Sequence, residues 1–393
     1  MDVRVTRREF LERSAQAAAL ALLASCAPAP QPTATFQTTK GITPTMTLDN
    51  LDLKIGQMLL VGFRGFELTN DNPIIADLRE RNIGGVVLFD YDVPTQTRER
   101  NVKSPEQVKA LCATLQKIAS TRLLISIDQE GGYVARFKER YGFPSTVSQQ
   151  ELGTRNDLAY TRQVAEATAK TLAEVGVNLN LAPVVDLNTN PENPVIGKIE
   201  RSFSADPTIV TNHALELIKA HHERGVLTTL KHFPGHGSSK ADSHLGFVDV
   251  TQTWTRAELD PYARIIQAGQ CDAVMTAHVF NANLDPKLPA TLSKKILTGI
   301  LRDELKFDGV VITDDMGMKA IADNYGFESA IQLAIDAGAD LIALANNSTM
   351  FEPNLAERAF TIIKQLVDKG QVSRERIEQS YQRIVQFKAR LKE

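Results

Sequence analysis

The chain has 393 residues, of which 43% are hydrophobic and 23% charged, a composition typical of a globular protein with one large domain or two small ones. Its formal net charge of −3 excludes the basic footprint of a nucleic-acid-binding protein, so we expect no nucleic-acid partner. Three cysteines are too few for a disulfide framework.

The amino terminus shows the features of an export signal. Arg7 and Arg8 lie in a twin-arginine pattern and precede an apolar stretch, 15–24, that is too short to span a bilayer comfortably. The following Leu23-Ala24-Ser25-Cys26 resembles a lipobox, in which cleavage precedes the cysteine and the thiol receives a lipid. We therefore predict a signal peptide over residues 1–25 and lipidation of Cys26. The alternative is a plain amphipathic helix.

A tether is predicted between this signal and the main domain. Residues 26–46 are rich in Pro, Thr and Ala, a composition typical of a solvated linker. We expect a single domain over residues 47–393, exported to the cell envelope outside the cytoplasm. Its membrane contact is expected to be the N-terminal lipid anchor only, and we expect a monomer.

The main domain alternates apolar, strand-like runs with helical patterns. Ser104, Pro105 and Gln107 predict a capping box at the start of one helix, and Asp206 and Ser373 are predicted to cap two others. Eight apolar runs separated by helices predict a parallel sheet that is covered on both faces. The predicted strands occupy residues 57–63, 84–89, 123–128, part of 177–186, 226–230, 273–278, 309–313 and 340–345.

The positions of the polar residues favour a closed (β/α)8 barrel of the TIM type. Periodicity alone leaves an open, doubly wound sheet as the alternative. Polar side chains end or directly follow five of the strands, and in a barrel these positions surround one mouth, where such folds keep their active sites. The five residues are Asp128, Asp186, His232, His278 and Asp314.

The segment after the fifth strand concentrates ionisable side chains. Lys231 and His232 are predicted at the strand's end, and Pro234 prevents continuation as a strand or a helix. Asp242 and His244 follow at a spacing that lets the carboxylate fix the imidazole tautomer, which makes the pair a candidate proton shuttle. The alternative is a solvated loop histidine.

Two further segments contribute candidate site residues. Asp314 and Asp315 directly follow an apolar strand, where one can attack a sugar carbon while the other turns outward or caps the next helix. Asp128, ahead of a double glycine, can hold vicinal hydroxyls, and Arg136 can reach the same space. The alternative there is a helix cap and a tight turn. Arg201 is weaker evidence by itself, because surface arginines are common.

The histidines do not favour a metal site. His232 and His236 are four residues apart, but Pro234 between them prevents the helix on which a zinc site of that spacing would form. No cysteine joins the histidines, and the Lys231 cation would oppose a divalent ion. We therefore expect no metal. A phosphate-binding P-loop is excluded as well, because Gly235-His236-Gly237 lacks the Lys-Ser/Thr ending.

Six motifs in this order resemble those of glycoside hydrolase family 3 β-N-acetylglucosaminidases, bacterial enzymes that act on peptidoglycan. They extend over residues 50–350, and their combination is highly specific although each motif alone is modest. They are Asp128-Gln129-Glu130-Gly131-Gly132, Leu181-Ala182-Pro183-Val184-Val185-Asp186, Glu200-Arg201-Ser202-Phe203, Lys231-His232-Phe233-Pro234-Gly235-His236-Gly237, Asp242-Ser243-His244 and Thr313-Asp314-Asp315-Met316.

The resemblance implies a role for each candidate residue. Asp314 corresponds to the family's nucleophile, and His244 to its general acid/base, assisted by Asp242. It also implies a barrel, no cofactor and retention of anomeric configuration. The residues implied to hold the substrate sugar are Asp128, Arg136, Arg201, Lys231 and His232.

The same residues suit the chemistry of a retaining glycosidase, which needs an ionised carboxylate at the anomeric carbon and a proton donor beside the leaving oxygen. We therefore expect an exo-acting β-N-acetylglucosaminidase with carbohydrate substrates, either peptidoglycan fragments (muropeptides) or related N-acetylglucosaminides. The alternatives are a β-glucosidase, β-xylosidase or phosphorylase of the same family, and a non-catalytic, lipid-anchored sugar-binding protein.

Three features depart from the family pattern. Many members have Asp-Thr after the Gly-His-Gly sequence, where this chain has Ser238-Ser239, so the loop's hydrogen bonds are expected to differ. The segment before Arg201 is slightly longer than the commonest form. The polar loop 91–103 has no counterpart, and we interpret it as a solvated surface loop; contact with the leaving group is the alternative.

Overall fold

The computed structural model describes residues 50–348 and 350–391, and its central feature is a barrel of eight parallel strands. All eight predicted strands are present, and every residue in them is buried, as expected when helices cover the sheet. They are β1 (Leu59–Gly62), β2 (Gly85–Leu88), β3 (Leu124–Ile127), β4 (Leu179–Asn180), β5 (Leu227–Phe233), β6 (Ala273–Thr276), β7 (Val310–Ile312) and β8 (Ile342–Leu344).

The strand order closes the sheet. Neighbouring strands follow the order β7-β6-β5-β4-β3-β2-β1-β8, and β1 pairs with β8 in the register Leu59 to Ile342. A parallel bridge between Ile312 and Leu341 joins β7 to the residue before β8. These pairings confirm the predicted (β/α)8 barrel.

Helices connect the strands and cover the outside of the barrel. Ser104, Asp206 and Ser373 each accept a hydrogen bond from a backbone N–H in the first turn of their helix, at 3.2, 2.7 and 3.1 Å, so the three predicted caps are confirmed. The helices are α1 (Asn50–Gln57), α2 (Pro73–Arg79), α3 (Pro105–Ile118), α4 (Gln149–Arg155), α5 (Leu158–Glu174), α6 (Pro207–Glu223), α7 (Asp260–Gln267), α8 (Lys319–Tyr325), α9 (Phe327–Ala337), α10 (Leu355–Asp368) and α11 (Arg374–Ala389), with a π-helix at Lys295–Glu304 between β6 and β7.

The last helix, α11, covers the barrel wall with an apolar face. Ile377 and Ile384 of α11 are buried, and Leu391 just after it is buried too. The helix packs against α1 and β7, so the two ends of the described chain meet on one side of the barrel.

Two small sheets lie in loops that follow carboxyl ends of barrel strands. After β3, Gln129–Gly131 pairs antiparallel with Val134–Ala135. After β5 and β6, Val248–Asp249 pairs parallel with Val279–Phe280. Short 3-10 helices occupy other connections, at Glu139–Tyr141, Gly197–Ile199, Arg256–Leu259 and Ala290–Leu292.

The fifth strand is longer than predicted. β5 continues through Phe233, so Lys231 and His232 lie within the strand instead of at and just beyond its end. Pro234 then ends it, because proline has no N–H to donate to the sheet. Both side chains are therefore held by a buried strand backbone and not by a loop.

Loop 91–103 is a solvated surface loop only in part, because residues 95–99 are exposed whereas residues 100–102 are buried. Arg100 is fully buried, forms an ion pair with Asp92, and donates hydrogen bonds to the carbonyl oxygens of Ala345 and Asn346 at 3.2 and 2.9 Å. A buried cation is tolerated only with such partners. The loop is therefore fastened to the connection after β8.

The predicted signal peptide 1–25, the tether 26–46 and Cys26 lie outside the described residues and stay predictions, as does a domain start at residue 47. Among the helices that the structure describes, none combines the length and apolar character needed to cross a membrane.

Candidate active site

One cavity of about 620 Å³ opens at the carboxyl ends of the barrel strands. All eight candidate catalytic and sugar-binding residues named from the sequence line it, although they come from loops and strands spread over nearly 190 residues of chain, from Asp128 to Asp314. Its volume lies within the range of small-molecule sites in proteins. The barrel therefore gathers the candidates into one place.

On one side of the cavity, Lys231 joins two carboxylates. Its Nζ lies 2.7 Å from Asp128 Oδ1 and 2.7 Å from Glu130 Oε1, and Arg136 donates to the other oxygen of Asp128 at 3.2 Å. Burial alone would lower the pKa of Lys231 and raise that of Asp128. Their mutual attraction outweighs it, so the pKa of Lys231 is raised and that of Asp128 lowered. Both groups are therefore charged and are held in fixed positions at the wall of the cavity.

Glu130 is a site residue to which the sequence analysis gave no role. Its two oxygens accept hydrogen bonds from Arg201 Nε and Nη2, both at 2.8 Å, in a bidentate pair. Burial alone would raise the pKa of Glu130, but the Arg201 and Lys231 cations lower it overall. A charge count could have found it, since Asp128 alone cannot balance three cations.

His232 is oriented by a carboxylate beneath it. Asp186 is fully buried, and its Oδ2 lies 2.7 Å from His232 Nδ1. Arg201 Nη2 lies 3.1 Å from His232 Nε2, and a guanidinium can only donate, so Nε2 accepts and the ring carries its proton on Nδ1. This arrangement fixes the ring at the edge of the cavity.

The turn after β5 depends on two glycines and on a buried carboxyl group. A Cβ at Gly235 would collide with the Glu258 side chain, and one at Gly237 with the Leu187 carbonyl oxygen. Glu258 accepts hydrogen bonds from the backbone N–H groups of Leu187 and Ser238 at 3.3 and 3.2 Å. Burial raises the pKa of Glu258 to about 8. These contacts fix the path of the chain toward Asp242.

Asp242 and His244 form the pair that their spacing predicts. Asp242 Oδ1 lies 2.7 Å from His244 Nδ1 and also accepts the His244 backbone N–H at 2.8 Å. The hydrogen bond to Asp242 raises the pKa of His244 above its ordinary value. Because Nδ1 is engaged with the carboxylate, Nε2 is the nitrogen available to a ligand.

The two carboxyl groups after β7 have different environments. Burial alone would raise the pKa of Asp314, but the nearby His278, His232 and His244 lower it overall, so Asp314 is ionised at neutral pH. Asp315 Oδ1 instead accepts the backbone N–H groups of Ala345 and Gly317 at 2.9 and 3.2 Å, and burial raises its pKa to about 6. Asp314 thus suits nucleophilic attack, whereas Asp315 supports the loops.

Within residues 50–348 and 350–391, no three or more His, Cys, Asp and Glu side chains are grouped as a metal site would require. The carboxylates at the mouth are instead paired with Lys231, Arg136 and Arg201. The charges of this site are therefore balanced among protein side chains.

A barrel with an ionised carboxylate and a carboxylate-paired imidazole at its mouth has the architecture of an enzyme. Residues 50–387 match the Glycosyl hydrolase family 3 N terminal domain. The chain is 34% identical over 378 residues to beta-hexosaminidase A of Pseudoalteromonas piscicida, covering 86% of this chain and 60% of that protein. It is 35% identical over 294 residues to the beta-hexosaminidase of Tolumonas auensis, covering 74% and 83%.

A solved structure shows the same relationship. The glycoside hydrolase family 3 beta-N-acetylglucosaminidase from Paenibacillus sp. str. FPU-7 has a TM-score of 0.79 and 37% identity, covering 87% of this chain and 62% of that one. The present chain belongs to glycosyl hydrolase family 3. It spans 60% and 62% of the lengths of the Pseudoalteromonas and Paenibacillus proteins.

Proposed function

We propose that this protein is a retaining, exo-acting β-N-acetylglucosaminidase. The observation that carries the proposal is a single cavity lined by the ionised Asp314, the carboxylate-paired His244 and a buried set of charged groups suited to a sugar. The names of the relatives, beta-hexosaminidase and beta-N-acetylglucosaminidase, support the choice of sugar.

In the first step, a carboxylate oxygen of Asp314 attacks the anomeric carbon. The bond to the leaving oxygen breaks, and His244 Nε2 donates a proton to that oxygen, so a covalent glycosyl-enzyme forms. Asp242 accepts from Nδ1 and stabilises the protonated ring beforehand. The hydrogen bond to Asp242 raises the pKa of His244 and so favours the protonated acid.

In the second step, the now neutral imidazole accepts a proton from water. The water oxygen attacks the anomeric carbon, the ester to Asp314 breaks, and the sugar leaves with the configuration it had in the substrate. Both steps use only side chains of this protein and water. Asp128, Arg136, Arg201, Lys231 and His232 hold the sugar throughout.

The proposed substrates are peptidoglycan fragments that carry a terminal N-acetylglucosamine, and the proposed location is the cell envelope. The twin-arginine and lipobox patterns before residue 27 support export and a lipid anchor on Cys26. Metabolic labelling with a fatty acid tests the anchor: label lost in Cys26→Ala supports it, and an unlabelled wild-type chain contradicts it.

The function is tested with chromogenic substrates. We expect nitrophenol release from the β-N-acetylglucosaminide and far less from the β-glucoside, with proton NMR showing the β-anomer first. Immediate α-anomer would rule out the covalent mechanism, and preference for the glucoside would favour the β-glucosidase alternative. The assay must also be run with inorganic phosphate, because an imidazole acid/base repels an anionic acceptor less than a carboxylate does. Sugar 1-phosphate as the main product would indicate a phosphorylase.

Replacing Asp242 by alanine is expected to shift the pH profile. Asp242 raises the pKa of His244, and His244 must be protonated in the first step. In the wild type, the alkaline limb, which is the fall of kcat/KM at high pH, should therefore have its midpoint above pH 6.5, the ordinary pKa of histidine. Without the carboxylate the pKa falls and the limb moves to lower pH. We also expect kcat to drop by about 10²-fold while KM changes little.

Asp242→Asn is the matched control, since it keeps an oxygen acceptor for Nδ1 and removes only the charge. The limb should move in this variant too, with a smaller loss of kcat. An alkaline limb at the wild-type pH in both variants would show that His244 is not the group that titrates.

A further inference from the structure

The stretch that carries the proposed acid/base has a single buried side chain. Ser243 is 2% exposed, whereas the flanking side chains of Asp242 and His244 are 24% and 60% exposed. From Asp242 to Gly246, one hydrogen bond leads to the rest of the described chain, and it joins Ser243 Oγ to His236 Nε2 over 3.1 Å. The catalytic stretch is therefore attached to the barrel between its two working residues.

The hydrogen bonds of Asp242 and the backbone N–H and Nδ1 of His244 are all made within this short stretch. Asp242 Oδ1 engages both the backbone N–H and Nδ1 of His244, and the Asp242 carbonyl oxygen accepts the N–H of Leu245 at 3.0 Å. These bonds set the geometry within the pair and leave its position relative to the barrel undetermined. Ser243, which lies between the two residues, supplies the contact that determines that position.

His236 is a rigid partner for this contact. Its Nδ1 lies 2.8 Å from Ser239 Oγ, its carbonyl oxygen accepts from Asn193 Nδ2 at 2.8 Å, and its backbone N–H donates to Asp186 Oδ1 at 2.8 Å. Burial, together with the nearby His232, lowers the pKa of His236 to about 4, so the ring is neutral when the enzyme would work. Both ring nitrogens are thus occupied by serine hydroxyls.

The buried carboxylate of Asp186 also orients His232, which is proposed to bind the sugar. Asp186 Oδ2 holds His232 Nδ1 at 2.7 Å, while Asp186 Oδ1 holds the His236 backbone. A sugar-binding side chain and the attachment of the acid/base stretch therefore share one fixed point. Movement of His244 relative to the sugar is limited by two hydrogen bonds in series, from Asp186 to His236 and from His236 to Ser243.

We propose that Ser243 and His236 are positioning residues, whose hydrogen bond places His244 Nε2 beside the leaving oxygen. The proposal rests on the glycosidase function proposed above. Neither side chain touches the reacting atoms in this role. Loss of the bond should therefore weaken proton transfer by His244 and leave sugar binding and attack by Asp314 in place.

The test compares Ser243→Ala with Ser238→Ala. Ser238 lies on the same turn, and its buried Oγ has no hydrogen-bond partner in the described structure, so its loss removes a hydroxyl without breaking a side-chain contact. For Ser243→Ala we expect kcat/KM on a disaccharide, whose leaving group needs a proton, to fall about tenfold, a part of the roughly 10²–10⁴-fold that acid–base catalysis supplies. Ser238→Ala should stay within about twofold, and Ser243→Thr should recover most of the loss.

Azide separates positioning from general damage. In Ser243→Ala with a nitrophenyl substrate, azide can attack the glycosyl-enzyme without a base, so it should restore turnover and yield the β-glycosyl azide. A loss that azide does not relieve, or Ser243→Ala activity equal to that of Ser238→Ala, would overturn the proposal. A wild-type enzyme inactive on every N-acetylglucosaminide would instead reject the proposed function.

Limited proteolysis tests the contact between Ser243 and His236 without a measurement of activity, so it separates this proposal from the proposed glycosidase function. Lys240 is exposed two residues before Asp242, and trypsin cuts after lysine. We expect faster cleavage there in Ser243→Ala and in His236→Gln than in wild type or Ser238→Ala, at matched thermal unfolding temperature. Equal cleavage rates in all four proteins would show that the bond does not hold the stretch.

Discussion

Replacing Asp314 by alanine is expected to lower kcat on a nitrophenyl β-N-acetylglucosaminide by at least about 10³-fold, in line with the loss of a nucleophile in other enzymes. Asp314 is partly buried, yet its pKa is lowered overall, so the carboxylate is ionised, which is the state required for the proposed attack on the anomeric carbon. The variant should retain wild-type affinity for N-acetylglucosamine, because the groups proposed to hold the sugar lie on other strands and loops. Steady-state kinetics and a binding titration measure the two effects separately.

Asp315 provides the matched comparison for Asp314. Asp315→Asn keeps the oxygen that accepts the N–H groups of Ala345 and Gly317, so it should retain far more activity than Asp314→Asn. Azide added to Asp314→Ala should yield the α-glycosyl azide, because the small anion then attacks from the vacated face. Equal losses in both Asn variants, or the β-azide from Asp314→Ala, would contradict the assignment of the nucleophile.

Removal of Glu130 should have the largest effect on stability. Its side chain is 1% exposed and is shared by Arg201 and Lys231, which are 10% and 2% exposed. Glu130→Ala leaves both cations with one carboxylate fewer, and breaking a buried ion pair in this way costs about 3–5 kcal/mol. We expect the free energy of unfolding in urea to fall by that amount, and KM to rise because Arg201 and Lys231 lose their fixed positions.

A surface ion pair offers the control for this loss. Glu192 and Lys198 lie 2.9 Å apart with side chains 80% and 54% exposed, so Glu192→Ala should change stability by less than about 1 kcal/mol. A similarly small change in Glu130→Ala would mean that water or a conformational change stabilises Arg201 and Lys231 after they lose this carboxylate. That result would remove Glu130 from the set of supporting residues.

The strands and helices could be predicted because their signals are local. Parallel strands covered on both faces appear as uninterrupted apolar runs, and Ser104, Asp206 and Ser373 cap helices whose first residues directly follow them. β5 is the instructive exception. Lys231 and His232 are polar, so they seemed to end the strand, but Asp128, Glu130 and Asp186 pair with them and allow the strand to continue.

The candidate site could be predicted in part for a related reason. Asp314, Asp242 and His244 lie in short motifs whose residue types and spacing indicate their chemistry. Glu130 also lies in such a motif, but its role could not be predicted, because that role depends on the ion pair with Arg201, 71 residues further along the chain. Arg100 was misread because its acceptors at Ala345 and Asn346 are about 245 residues away.

The sequence by itself therefore determined the strand positions and the candidate reacting groups and favoured a barrel, since hydrophobic runs, caps and motif spacing are properties of neighbouring residues. Only the tertiary structure decided which charges are buried together and which residue contacts the stretch that carries His244. The physical reason is that a buried ion pair or hydrogen bond needs a partner from another strand or loop, as Glu130 needs Arg201 and Ser243 needs His236.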